Sequence, residues 1–253
     1  MQSVQRKVAL VTGASRGIGR SIATHLAARG YMVAAHYGRR RDEAELTLQT
    51  IKASGGEAFV LGADLSHADA IETLFGELDA ELTKRGHDHI DVLVNNAGIG
   101  GGGGIADVKE AKFDRLFATN VKGTFLVTQH ALPRLSDGGR IINISSMVSL
   151  AAYPGSIAYA MTKAALNSFT VSLAAELGGR GITVNAVAPG ATDTEFIAEY
   201  VATPEGRQFF SSAAALGRLG TAEDIAGVVA FLASAEGGWI TGQIIQASGG
   251  MHL

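Results

Sequence analysis

The stretch "KVALVTGASRGIG", Lys7–Gly19, is a short apolar run that stops at glycine and passes into a helical pattern. Its residues are apolar on consecutive positions, the mark of a strand covered on both faces, as in a parallel sheet flanked by helices. Gly13, Gly17 and Gly19 fill the turn behind it. Glycine lets the backbone come close to a ligand, and the free N–H groups and dipole at the following helix N-terminus favour an anion such as a pyrophosphate. The spacing is Gly-x3-Gly-x-Gly, not the Gly-x-Gly-x2-Gly of the dinucleotide fingerprint. A glycine-rich turn alone is a weak signal; the strand before it and the helix behind it raise the phosphate reading to stand beside that of a structural turn.

Six more runs of the same kind follow at Tyr31–Tyr37, Glu57–Ala63, Ile90–Asn96, Gly139–Ser145, Ile182–Ala188 and Ile240–Ala247, separated by longer helical patterns. Strand and helix in alternation predict an α/β fold: a single-domain, Rossmann-type, doubly wound parallel sheet of seven strands with helices on both faces. Such sheets bind ligands outside the carboxyl ends of their strands, where the winding reverses, so the loops after the first, fourth, fifth and sixth strands are the places to search. No linker divides residues 1–253, and no solenoid repeat is present.

Composition agrees. Of 253 residues, 47% are hydrophobic and 18% charged, with only 4 prolines, which supplies a large core and no signature of disorder. The net charge of −3, without a basic tail, gives no electrostatic reason to expect nucleic acid or a membrane surface as partner. The chain has no cysteine, and its 7 histidines fall into no ligand-set spacing, so neither disulfide nor metal is expected. With no signal peptide and no apolar stretch near the ~20 residues of a membrane span, a cytoplasmic protein is expected.

"SIAYAMTKAALNSF", residues 156–169, sets Tyr159 and Lys163 four apart among small side chains. At 100° per residue they share a stripe with Leu166, Thr170, Leu173 and Leu177, so phenol and ammonium face the protein. A lysine turned inward needs a partner, because burying an unpaired charge is costly. A nearby cation favours the ionised phenol and is expected to lower its pKa toward the operating range of a general acid or base. Asn120 in "FDRLFATN" also stands on an apolar stripe, with Phe113, Leu116 and Phe117, and so requires hydrogen-bond partners inside.

"TGASRGIG", "NNAG" at Asn95–Gly98, a serine thirteen residues before "YAMTK", and "PGATDT" at Pro189–Thr194 occur in this order. Together, over nearly the whole chain, they resemble the short-chain dehydrogenase/reductase family, and within it the 3-oxoacyl-carrier-protein reductases and related ketoreductases. The resemblance implies hydride transfer from a nicotinamide dinucleotide to a carbonyl carbon, with Tyr159 donating the proton, Ser146 holding the substrate oxygen, Lys163 serving phenol and ribose, and Asn120 holding a water chain behind Lys163. Ser145 competes with Ser146, whose interval matches the family; Ser149 is expected to be a loop residue. The alternative for Asn120 is a core amide tied to backbone.

By the same resemblance the cofactor is held by Gly13, Ser15, Arg16, Gly17, Ile18 and Gly19 of the first loop, by Tyr37 and Arg39 after the second strand, and by Asp64 and Leu65 after the third. Asn96, Ala97 and Gly98, then Pro189, Gly190, Thr192 and Thr194, complete it together with Tyr159 and Lys163. Asp64 would bond the adenine amino group; alternatively it is a loop carboxylate beside Ser66, which with Asp69 could cap the next helix. No acidic residue ends the second strand, where a ribose lacking the 2′-phosphate is usually bound. Arg39, Arg40 and Arg41 stand at a helix start instead, with the wrong sign for its dipole, and Arg16 adds a fourth cation. The arginines suit the 2′-phosphate of NADP(H), with NAD(H) the less favoured cofactor; a solvated basic turn balanced by Asp42 and Glu43 is the alternative.

The substrate is less legible. Where carrier-dependent relatives have a basic docking residue, three positions ahead of Arg140, this chain has Asp137, while Arg180 matches a second docking position. An acyl carrier protein is therefore possible but not favoured, and a free small-molecule ketone is expected. Gly100–Gly104 fit either a flexible turn or room for a bulky substrate. Residues 194–216 read as a substrate lid, helical in pattern and broken by Pro204, with Phe196, Tyr200, Phe209 and Phe210 facing the pocket or their neighbours. The resemblance further implies a homotetramer built through the helices that carry Asn120 and Tyr159. Two other functions remain: an NAD-dependent alcohol or sugar dehydrogenase, and a dinucleotide-sensing protein, against which the intact Ser146, Tyr159 and Lys163 argue.

Overall fold

In the computed structural model, which describes residues 6–252, the seven runs form one parallel sheet in the order β3-β2-β1-β4-β5-β6-β7. The strands are β1 (Val8–Val11), β2 (Met32–Tyr37), β3 (Glu57–Gly62), β4 (Ile90–Asn95), β5 (Leu135–Ile144), β6 (Thr183–Pro189) and β7 (Ile244–Ala247). The winding reverses between β1 and β4, which pair Ala9 with Val92 and Val11 with Val94. The loops carrying "TGASRGIG" and "NNAG" therefore leave the sheet side by side.

The helices are α1 (Gly17–Ala28), α2 (Arg41–Ala53), α3 (Ala68–Lys84), α4 (Glu110–Phe117), α5 (Thr124–Ala131), α6 (Ile157–Leu177), α7 (Pro204–Ser212) and α8 (Ala222–Ala233). Two buried clusters, one on each face of the sheet, make the core. Leu10, Leu93 and Ile141 turn toward Leu74, Leu78 and Leu173 on one side. Val11, Val94 and Ile142 meet Ile22, Leu26 and Val229 on the other. No helix among the described residues is long and apolar enough to cross a membrane.

Several boundaries differ from the sequence expectation, each for a local reason. β5 begins at Leu135, four residues early, because Leu135 pairs with Ile90 across a register shift before Arg140 resumes the ladder opposite Val92. β7 begins late, since Gly242 takes φ +70° in a turn ahead of it. Pro204 does not break a helix but opens α7, where its missing N–H costs nothing, and the Thr203 hydroxyl accepts from Gly206 N at 3.1 Å. Ser66 and Asp69 form no cap on α3; Ser66 is held instead by Asp64. Asn120 lies on a π-helical segment, Ala118–Gly123, between α4 and α5, so the register of a regular helix does not carry through it.

Candidate active site

The turn after β1 is built around Gly13, whose φ of +67° and whose approach to the Ala97 backbone leave no room for a side chain. Asn96 locks it, its Nδ2 donating to Thr12 O at 2.9 Å and Gly13 O at 3.0 Å. The first asparagine of that pair points the other way, Asn95 Nδ2 donating to Thr128 Oγ1 and Asn143 Oδ1 inside the core. Helix α1 then starts at Gly17 with no side-chain cap and no acid in its first turn. Its leading N–H groups, together with the dipole, suit an anion. Ser15, Ile18 and Gly19 belong to the same turn; Gly19 is packed so close to Gly13 O that only glycine fits.

Around this loop the expected cofactor residues gather, already paired with one another. Arg16 is bonded to Glu195, whose carboxylate is also 3.7 Å from Arg40. Arg39 donates to Asp64 Oδ2 at 3.2 Å, while Ser66 donates through its hydroxyl and backbone N–H to Asp64 Oδ1. These bonds, the Ser66 hydroxyl first, pull the Asp64 carboxyl down to about 2. Asp64 is thus both the loop carboxylate beside Ser66 and a residue at the carboxyl end of β3, with Leu65 buried behind it. Tyr37 closes β2, and its ring lies against Gly62. Arg40 serves as the residue before α2 without a side-chain cap.

At the carboxyl end of β5, Ser145 and Ser146 part ways. Ser145 is buried and its hydroxyl donates to Asn167 Oδ1 at 2.6 Å. Ser146 instead stands beside the Tyr159 hydroxyl, close enough to lower the phenol's pKa, and its own hydroxyl accepts from Val148 N at 3.4 Å. Ser149 is more than a loop residue: its hydroxyl donates to Ser146 O at 2.6 Å and accepts from Asn167 Nδ2 at 2.9 Å, fixing the turn that presents Ser146. Asn167, one turn beyond Lys163, was not singled out in the sequence; its place on the inward side of α6 was the available signal. Glu195 was missed because its partner Arg16 is far away along the chain.

Lys163 is buried on α6 beside Leu166, Thr170, Leu173 and Leu177, as the helical stripe predicts. Its Nζ donates to Ile144 O at 2.8 Å and stands 5.7 Å from the centre of the Tyr159 ring. Asn120 receives Ile99 N at 2.9 Å and donates to Ile99 O at 2.9 Å and Thr162 Oγ1 at 3.2 Å. It thereby ties the Gly98–Ile99 segment to α6 as a core amide bonded to backbone.

The electrostatics correct one expectation. The phenol of Tyr159 is not lowered by the ammonium: burial raises it well above its ordinary value, and only the Ser146 hydroxyl pulls it back. Burial equally pushes Lys163 down to about 8. Desolvation disfavours both charged forms, and at this separation it outweighs the attraction between them. The phenol is consequently protonated throughout the neutral range, the form a proton donor requires.

On the remaining side, Gly190 N donates to Ala247 O at 3.1 Å and buried Thr192 donates to Gly190 O at 3.0 Å, so the turn after Pro189 is tied to β7. Thr194 comes within 3.6 Å of the position a Cβ on Gly17 would take, bringing the "PGATDT" segment over the glycine loop. The glycine run is not a free turn: Gly103 N donates to Gly155 O at 2.7 Å, and a Cβ at Gly100 would lie 2.7 Å from the Phe196 ring. That ring is 5.9 Å from Tyr159, and Tyr200 and Phe210 form a further aromatic pair.

Comparison with known proteins accords with this geometry. The family model described as Enoyl-(Acyl carrier protein) reductase matches residues 13–252. The 3-oxoacyl-[acyl-carrier-protein] reductase FabG of Staphylococcus aureus (strain Mu50 / ATCC 700699) is 42% identical over 98% of each chain. Among solved structures, the angucycline C-6 ketoreductase LanV with bound NADP is similar at 44% identity and TM-score 0.93, over 96% of this chain and 95% of that one. LugOII, a promiscuous reductase that catalyses keto-reduction at C1 during lugdunomycin biosynthesis, is similar at 45% identity and TM-score 0.94 over 98% of each. A family model that matches from the first glycine of the β1 turn to residue 252, and relatives 42% and 44% identical over nearly the whole length of both chains, make the chain a member of the short-chain dehydrogenase/reductase family.

Proposed function

We propose that this protein is an NADPH-dependent reductase that converts a free ketone to a secondary alcohol, with Tyr159 as the proton donor. The observation that carries the reading is the placement of Ser146 beside the Tyr159 hydroxyl, with the buried Lys163 ammonium 5.7 Å from the centre of the phenol ring. One domain supplies both cofactor site and chemistry in this reading, with residues 194–216 as its lid.

The chain's polar groups fit the cofactor. The uncapped start of α1 suits the pyrophosphate, Arg16 and Arg39 suit the 2′-phosphate, and Asp64 suits the adenine amino group. Tyr37, Leu65 and the Asn96–Gly98 backbone would line its adenosine and ribose side, and Pro189, Gly190, Thr192 and Thr194 its nicotinamide end. NADPH would supply hydride to the carbonyl carbon. Ser146 donates a hydrogen bond to the carbonyl oxygen and orients it toward Tyr159; the phenol then gives up its proton as negative charge develops there. Lys163, cationic below about pH 8, favours the phenolate left behind. Asn120 keeps the Ile99 segment against α6, and it would hold water behind Lys163.

A carrier-bound substrate fits less well. Arg180, the expected docking cation, donates to Asp137 Oδ1 at 2.8 Å and spends its other nitrogens on Leu132 O and Leu135 O. Its charge is answered within the chain, which weakens attraction for an acidic partner. The aromatic lid beside Tyr159, and the likeness to reductases of angucycline and lugdunomycin biosynthesis, favour a bulky, flat ketone. As further parts of the proposal, exposed Phe125 and Met161 on α5 and α6 supply apolar surface for a homotetramer, which light scattering on the eluting peak would test.

The deciding experiment is a screen of aromatic ketones, β-ketoesters and acyl thioesters with NADPH, read by the loss of reduced-nicotinamide absorbance, followed by Tyr159→Phe on the best substrate. Removal of a general acid is expected to lower kcat by about 10²–10⁴ with NADPH binding retained. Turnover that persists in the variant excludes Tyr159 as the donor.

A further inference from the structure

The imidazole of His36 is buried in β2, inside a strand that is otherwise apolar until Tyr37. Both its nitrogens are engaged with loops at the carboxyl edge of the sheet. Gly13 N donates to Nδ1 at 3.1 Å, and Nε2 lies 3.0 Å from Ala63 O. Only the neutral tautomer with the proton on Nε2 makes both bonds, accepting at Nδ1 and donating at Nε2.

The two partners matter by position. Gly13 is the first glycine of the loop assigned above to the cofactor phosphates, and Ala63 immediately precedes Asp64, assigned to the adenine. The peptide groups of Gly13 are thus held at both ends, N–H by His36 and C=O by Asn96 Nδ2. β1 pairs with β2 in register as far as Val11 opposite Ala35, which leaves the Gly13 N–H outside the ladder. Beyond it the chain enters the glycine turn, where Ala14 N donates to His36 O at 2.8 Å and the imidazole of the same residue takes the Gly13 N–H.

We propose that His36 is a positioning residue for the dinucleotide: its imidazole engages the Gly13 N–H and sets the direction in which the glycine loop enters α1, while its bond to Ala63 O contributes to stability alone. The inference rests on the reading of this loop as the NADPH site. In support, burial holds the imidazole down near 4, with the Asp64 carboxylate the charged group that faces it and Arg39 beyond, so the neutral form prevails at neutral pH.

Three variants separate positioning from packing. His36→Asn keeps an acceptor where Nδ1 stands and loses the reach to Ala63; His36→Gln reaches toward Ala63 and loses the acceptor; His36→Leu keeps neither. NADPH affinity is measured by nicotinamide fluorescence, alongside thermal unfolding of the same proteins without nucleotide and KM against kcat on an accepted ketone. The expected result is Kd and KM for NADPH raised about ten-fold in the Gln and Leu variants, the worth of one hydrogen bond, with kcat within about three-fold, and near-wild-type values for Asn although its unfolding temperature falls as far as that of Gln. An Asn variant that binds NADPH no better than Gln overturns the role given to His36, as does a folded Leu variant with wild-type affinity. Wild-type protein that fails to bind NADPH overturns the proposed function itself, a different outcome from either.

Discussion

Arg16, in the glycine loop, is ion-paired with Glu195, the residue directly after Thr194. The guanidinium proposed to meet the cofactor's 2′-phosphate therefore already carries a carboxylate from the proposed lid. Glu195→Gln should release Arg16 and Arg40 for the phosphate. Exposed pairs of this kind are worth about 0.2–1 kcal/mol, so NADPH should bind about 1.4- to five-fold more tightly, and the gain should shrink in high salt. Fluorescence titration at two ionic strengths measures it; weaker binding in the variant would mean that Glu195 aims Arg16 and does not compete for it.

Arg39 should discriminate between dinucleotides. Arg39→Ala would remove the charge-assisted contact proposed for the 2′-phosphate, and about ten-fold loss of NADPH affinity is expected after solvent screening, with NADH affinity unchanged. Parallel titration with both nucleotides checks this. Equal losses would assign Arg39 to holding Asp64 in place.

Lys163 makes stability depend on pH in a stated direction. Its pKa is about 8 in the folded chain and ordinarily 10.5, so between those values the unfolded chain holds more protons and stability rises with pH. The partly buried Tyr159 acts oppositely, but only above its ordinary value of 10. From pH 8 to 10 the wild type should gain about 2 kcal/mol, and Lys163→Met should lose that gain along with activity. Urea unfolding at half-unit pH intervals reads the slope; an unchanged slope in the variant would remove Lys163 as its source.

Gly100→Ala probes the lid. The added Cβ would meet the Phe196 ring at 2.7 Å, and the ring is the free end of a side chain that can turn away. The fold should survive while kcat/KM for a bulky ketone falls about ten-fold, the scale of a mild overpacking penalty. In a Phe196→Ala background the same change should be nearly silent. Steady-state kinetics on the four proteins of that cycle settles whether glycine is there for the ring.

Of the site, the residues that lie on one helix or in one turn were legible in advance. Tyr159 and Lys163 share a face of α6 because side chains four apart must, and the glycine turn opens α1 because a strand ends and a helix begins around it. Asn120 was correctly placed inward, but the π-helical turn that aims it at Ile99 and Thr162 leaves no trace in apolar periodicity.

The sequence by itself determined the order of strands and helices, the sheet's parallel sense, and which short motifs stand at the carboxyl ends of the strands, because all of these follow from local periodicity and turn chemistry. The tertiary structure alone decided how charges are answered: Arg16 by Glu195, Arg39 by Asp64, Arg180 by Asp137. It alone decided that the phenol of Tyr159 rises and does not fall. Pairing between residues far apart along the chain, and the cost of taking a charge out of water, depend on what the fold brings near and how completely it excludes solvent, and neither quantity is written in any local stretch of residues.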